Sequence, residues 1–151
     1  MEECFYDGHL FDSFKKIFYV GLDFNQLTKY QPEYGYDNLK SIKKDIFIKR
    51  FDNENAEVIF SMNQITDALN IKSNRNEYFP NHIMISPNGN KFIFILRRLT
   101  KIERRDFLVL YNFETGTLSY LPNSGFISHM CWIKEDSRLF GYLEYKGKKG
   151  F

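Results

Sequence analysis

An all-β fold of repeated antiparallel hairpins is predicted by three features of this 151-residue chain. The first is an internal repeat. Asn81-His82-Ile83-Met84-Ile85-Ser86-Pro87-Asn88-Gly89-Asn90-Lys91-Phe92-Ile93-Phe94 returns as Ser128-His129-Met130-Cys131-Trp132-Ile133, a polar turn, and Arg138-Leu139-Phe140-Gly141-Tyr142. His82 and His129 stand 47 residues apart, as do Phe92 and Leu139. The second is composition: 18% of the residues are aromatic, a bias that suits half-buried strands better than helices. The third is turn chemistry, with Pro, Asn and Gly grouped between the apolar runs. A fixed period of this size, filled with short strands, is that of a β-propeller blade. The predicted architecture is a partial β-propeller in one domain over residues 1–151, with about 2.5–3 four-stranded antiparallel blades and one short helical insert.

In chain order, residues 17–60 read as the end of one blade. A strand from Asp45 to Phe51 runs into a turn at Asp52-Asn53-Glu54-Asn55 and returns as Ala56 to Phe60, Asn55 being tolerant of positive φ. Residues 61–80 form the insert. Met62, Ile65, Ala68 and Leu69 recur at helical spacing behind Ser61, a good N-cap, which predicts a helix from Met62 to Asn70. A polar loop through Ser73-Asn74-Arg75-Asn76 follows. The full blade spans 81–121, with an inner hairpin turning at Ser86-Pro87-Asn88-Gly89. Its outer hairpin, Asp106 to Phe113, a turn at Glu114-Thr115-Gly116 and Thr117 to Leu121, matches the one at 45–60. These outer hairpins are 61 residues apart rather than 47, an excess that the insert explains. Residues 127–151 read as a half blade turning at Lys134-Glu135-Asp136, and the chain stops where another strand should begin.

Bulk properties exclude several classes. With 21 basic and 19 acidic side chains the net charge is +2, so the whole-chain charge does not point to nucleic acid. Cys4 and Cys131 are too few for a disulfide framework. Cys131 lies in an apolar run and is expected as a buried free thiol in a reducing compartment. No secretory signal or membrane-spanning segment is readable, so the expectation is a cytoplasmic protein without a membrane partner.

The Ser86-Pro87-Asn88-Gly89 turn, followed by Lys91 and the strand Phe92-Ile93-Phe94, resembles the TolB-type propeller repeat. The landmarks Pro32-Glu33-Tyr34-Gly35-Tyr36, Asn81-His82, Phe92-Ile93-Phe94 and Ser128-His129 with Trp132 are similar to those of one TolB-like subgroup. Its largely uncharacterised members are often encoded among bacterial capsular and surface-polysaccharide genes. That subgroup commonly continues the strand with His-Arg-Trp, whereas this chain has Leu96-Arg97-Arg98, so only Arg97 matches. Such propellers close a ring of several blades. The resemblance therefore implies that this chain is a fragment, or that it completes a ring by self-association or with missing blades, because open blades leave apolar faces and strand edges uncovered.

Candidate site residues follow from the repeat. His82 and His129 open equivalent inner strands, where imidazole suits metal ligation or general base work. A structural hydrogen bond repeated in each blade explains the same pattern, and no acidic residue adjoins either histidine in sequence to complete a metal set. Asn81, His82, Arg97 and His129 are the candidate ligand-binding residues. Arg97 is a bidentate partner for carboxylate or phosphate if it faces inward. Arg98, Lys101, Arg104 and Arg105 form a basic loop suited to an acidic glycan or a nucleotide-sugar, or equally a solvated connection. Tyr30, Tyr34 and Tyr36 form an aromatic turn that either packs on the sheet or stacks on a sugar. Trp132 is expected in the core between blades.

No acid–base pair can be assembled from these residues, and no cofactor is expected. The leading expectation is a non-catalytic binding or scaffolding module, which the resemblance places in surface-polysaccharide biology. The alternatives are the remnant of a carbohydrate-active propeller enzyme similar to the oligogalacturonide lyases, with His82, Arg97 and His129 in the channel, and a protein-interaction propeller.

Overall fold

The computed structural model describes residues 10–15, 17–23, 28, 32, 45–52, 56–72, 74–121, 123, 125–133 and 138–150. Among them the fold is mostly β, in three antiparallel sheets, none closed on itself. The first sheet holds β1 (Leu10–Phe14), β2 (Phe18–Leu22), β3 (Ile46–Arg50) and β4 (Ala56–Phe60). The second holds β5 (Tyr78–Ile85), β6 (Lys91–Leu99), β7 (Arg104–Asn112) and β8 (Thr117–Tyr120). The third holds β9 (Ile127–Ile133), β10 (Arg138–Tyr145) and β11 (Lys148–Gly150). In each, strands adjacent in sequence are adjacent in space.

Three elements differ from the sequence expectation. The first sheet begins at Leu10, ahead of residue 17. Tyr78, Phe79 and Pro80, assigned above to the insert, pair with Arg98, Arg97 and Leu96 and already belong to β5. Pro80 is tolerated because β5 is the edge strand of its sheet. Lys148–Gly150, where the chain was expected to stop short of a strand, pairs with Leu143 to Tyr145. Cys4, His9, the aromatic turn residues Tyr30, Tyr34, Gly35 and Tyr36, and the turns containing Asn55 and Glu135 lie outside the described residues.

The helix α1 (Met62–Ala68) starts on a full capping box. The Ser61 hydroxyl accepts from the Gln64 N–H, and the Gln64 side chain accepts from the Ser61 N–H. Asp45 adds a third acceptor, its carboxylate taking the Met62 N–H at 2.7 Å. Ile65 and Leu69 are buried, the side of α1 that the apolar spacing predicted.

The second sheet is the middle layer. One face packs Tyr78, Ile83, Ile85, Phe92, Phe94, Leu96 and Val109 against Val20, Leu22 and Ile46 of the first sheet and against α1. The aromatic bias is used here: Phe18 meets Phe113 at 5.7 Å between ring centroids, and Phe60 meets Tyr111 edge-on at 4.8 Å. The other face packs Ile93, Ile95 and Leu108 against Ile127, Met130, Trp132, Leu139 and Leu143 of the third sheet. Trp132 lies at this seam and donates its indole N–H to the Met84 carbonyl at 3.2 Å.

The first strand of every sheet carries a one-residue bulge. Register shifts fall between Leu10 and Asp12, between Asn81 and Met84, and between Ser128 and Met130. Each bulge resets the pleat, so that Ile127 and Met130 both face the second sheet although they are three residues apart. The reset corrects the expectation for Cys131. Met130 and Trp132 occupy the seam, so the thiol between them is turned to the opposite face and is exposed. Phe140, paired with Cys131 across the ladder, is 46% exposed on that face.

The Ser86-Pro87-Asn88-Gly89 turn closes with Gly89 N–H donating to the Ser86 carbonyl at 2.8 Å. Gly89 has φ +76°, and a Cβ there would lie 2.7 Å from the Phe14 ring of β1. Gly116 has a similar φ of +66° but open space around it. Gly116→Ala is therefore expected to cost about 1–2 kcal/mol from backbone strain alone. Gly89→Ala should cost distinctly more in the same urea titration, because it also displaces Phe14. Equal losses would mean that β1 does not pack on this turn.

Candidate functional site

The seam between the second and third sheets holds a group of charges built around one carboxylate. Asp106 on β7 is opposite Arg97 on β6, and both are buried, at 0% and 2% exposure. The Arg97 Nε donates to Asp106 Oδ1 at 2.8 Å. Arg104, two residues earlier on the same side of β7, donates through Nη2 to Oδ2 at 2.8 Å. The backbone N–H of Ile127, the first residue of β9, donates to Oδ2 at 3.3 Å. The main chain of Asp106 is tied as firmly: its N–H donates to the Gly125 carbonyl at 2.7 Å, and its carbonyl accepts from Asn123 Nδ2 at 2.8 Å. Asn123 Oδ1 in turn accepts the Leu108 N–H at 3.1 Å. The segment leading to the third sheet is thereby laced to β7.

Both repeat histidines are bulge residues in the left-handed region, His82 at φ +50° and His129 at φ +48°. Histidine is enriched there relative to most L-residues, yet the conformation is strained for any side chain and clusters at functional sites. Asn81 supports the first bulge by accepting the His82 N–H on Oδ1 at 2.8 Å. Its own Nδ2 is a buried donor without an acceptor among the described residues.

These bulges bring the histidines to the charges of the seam. Both histidines are exposed at their bulges. Desolvation by the surrounding protein lowers the His82 pKa below its ordinary 6.5, and the like charges of Arg97, Arg104 and His129 lower it further, against the opposing pull of Asp106. Five groups from four strands thus share one electrostatic neighbourhood: His82, Arg97, Arg104, Asp106 and His129.

The remaining basic candidates are used elsewhere. Arg98 points to the opposite side of β6 and pairs with Glu77 at 2.8 Å and Glu103 at 3.6 Å. Arg105 lies over the Phe107 ring at 5.2 Å. Lys101 is exposed in the β6–β7 connection. Arg97 is buried, and its Nε donates to the internal carboxylate of Asp106. Arg104 is the accessible cation of the pair, with its side chain 40% exposed. Its guanidinium also lies 5.6 Å from the Phe126 ring, which Lys149 approaches at 4.7 Å.

Asp106, Phe126 and Lys149 were not among the sequence candidates. The signal for Asp106 was present, since it occupies the place of Asp45 in the repeated outer hairpin. Each aspartate accepts the backbone N–H of the segment that follows its sheet, Met62 for Asp45 and Ile127 for Asp106. Phe126 and Lys149 had no such signal. Among the described residues no group of three His, Cys, Asp or Glu side chains is arranged to hold a metal ion. No helix among them is long and apolar enough to cross a membrane. No protein-family model, curated protein or solved structure matches the chain.

Asp106→Ala removes the carboxylate that the buried Arg97 Nε and Arg104 Nη2 donate to and should cost about 3–5 kcal/mol of stability by chemical denaturation. A loss below about 1 kcal/mol, the range of exposed pairs, would place the carboxylate outside the core. His82→Gly keeps the bulge and relieves its strain, so stability at pH 8 should be equal to or above that of the wild type. Its pH profile should differ. A His82 pKa held below 6.5 gives stability that is present above that value and lost as pH falls through the folded pKa, because the unfolded state then binds the additional proton. The variant should lose that acid limb, and an unchanged limb would assign it to another group.

Proposed function

We propose that the chain is a non-catalytic binding module made of β-propeller blades, and that it takes an acidic ligand at the seam between β5 and β9. The observation that carries this reading is the solvent-reachable guanidinium of the seam. Arg97 and Arg104 both donate to the buried Asp106 carboxylate, and the Arg104 side chain stays 40% exposed. An exposed guanidinium held in place this way suits the carboxylate of an acidic glycan or the phosphate of a nucleotide-sugar. The likeness to TolB-type repeats at Ser86–Gly89 favours the glycan and gives surface-polysaccharide biology as the setting.

The blade reading is supported by three successive meanders that pack face to face, each with a bulge in its first strand. Binding is favoured over lyase chemistry by the state of Asp106. A general base needs a lone pair free for the substrate proton, and this carboxylate is taken up by two guanidinium groups and an amide.

The test is calorimetric titration with galacturonate oligomers against neutral glucose oligomers of equal length. The acidic series should bind and the neutral series should not. Arg104→Gln should weaken binding about ten- to a hundredfold, the worth of a charge-assisted hydrogen bond. Equal affinity for both series would overturn the reading. Formation of unsaturated products would replace it with the enzymatic one.

A further inference from the structure

We propose that the outer face of the third sheet is a two-fold dimer interface, on which a second copy of this chain packs the same face with the two β10 strands antiparallel. The inference is independent of the acidic-ligand reading above.

The repeat indicates what this face is built for. A step of 47 residues relates β5 and β6 to β9 and β10, so Met84, Ile93 and Ile95 correspond to Cys131, Phe140 and Tyr142. Met84, Ile93 and Ile95 lie on the face of the second sheet that the third sheet covers. Their counterparts lie on the far side of the third sheet, because Met130, Trp132, Leu139 and Leu143 occupy the seam side. Ile133 is on the same far side at 42% exposure, Phe140 is 46% exposed, and the Cys131 thiol is exposed. The place where the repeat stacks its next sheet is thus an apolar face in contact with solvent.

The pattern of charge identifies the occupant. Along β10 this face reads Arg138, Phe140, Tyr142 and Glu144, centred on Gly141. Its ends carry opposite charges and its middle is aromatic. A two-fold axis at Gly141 sets Arg138 against Glu144 of the second copy and Phe140 against its Tyr142, and each contact occurs twice. Neither Arg138 nor Glu144 has an ion-pair partner among the described residues. Lys149, opposite Glu144 on β11, directs its ammonium to the Phe126 ring at 4.7 Å. A head-to-tail stack that continued the repeat would need the far face of the first sheet instead. That face is already covered, since Tyr19 and Phe47, which turn away from the second sheet, are 3% and 0% exposed.

Size sets the strength. Strands about 4.8 Å apart with a rise of about 3.3 Å per residue give each copy a face of roughly 15 by 23 Å. This is at the small end of specific interfaces, so the dimer is weak, with a dissociation constant on the order of 10–100 µM.

The experiment is sedimentation equilibrium of the whole chain across concentrations that bracket this constant. The mass should rise from monomer to dimer and stop there. Arg138→Glu and Glu144→Arg should each weaken association at least about tenfold, because each sets like charges face to face. The double reversal restores opposite charges and should return the constant to within about threefold of its original value. Circular-dichroism melts check that each variant is folded. In a Cys4→Ser background, the Cys131 thiol should react with dithiodipyridine more slowly as the dimer forms. A monomer at every concentration, a mass that climbs past dimer, or a dimer with Cys131 fully reactive would overturn the proposal. Single reversals without effect, or a double reversal that fails to restore association, would overturn it as well.

Discussion

The charge on Asp106 is fully removed from water, and a buried carboxylate survives only where donors replace its hydration. Those donors come from three places: Arg97 on the neighbouring strand, Arg104 on its own strand, and the first amide of the next sheet. Hydrophobic burial along the seam drives the sheets together but has no direction. The carboxylate supplies the direction. Ile127 must present its amide at one point on β7, and that point decides where His129 lands two residues later. The same hub sets how much positive charge faces His82. Seating of the third sheet and the electrostatics of the candidate site are thus consequences of one interaction.

The bulges do complementary work. Without them, Ile127 and Met130 would lie on opposite faces, and the third sheet would lose half of its contact with Ile93, Ile95 and Leu108. In two of the three bulges the extra residue is a histidine forced into the left-handed region, His82 and His129. A glycine would hold that backbone with less strain. Histidine there puts a titratable ring at the seam, which connects the local geometry of the strand to a charge-sensitive site.

Much of the fold was legible from the residues. The repeat, the Pro-Asn-Gly turn and the helical spacing behind Ser61 mark strands, turn and helix through short-range rules that hold wherever the segment sits. Cys131 was misread because an apolar run suggests burial, whereas the bulge two residues earlier decides which face it takes. Tyr78 to Pro80 were misplaced because the visible repeat opens only at Asn81, and nothing local announces that the edge position of β5 admits a proline. At the site, the repeated histidines and Arg97 drew notice by pattern. The partner of Arg97 did not, since pairing across β6 and β7 depends on a register that no local rule supplies. Phe126 and Lys149 meet only through tertiary packing.

The most direct measurement is native-state hydrogen exchange of the Ile127 amide, which donates to the Asp106 carboxylate across the seam. The account predicts that it exchanges only through global unfolding, as slowly as Phe94 and Val109 at the centre of the second sheet. In Asp106→Ala it should exchange far faster than those two, the third sheet having come loose. Rapid exchange of Ile127 in the unaltered protein, with Phe94 still protected, would contradict the claim that this carboxylate holds the sheets together.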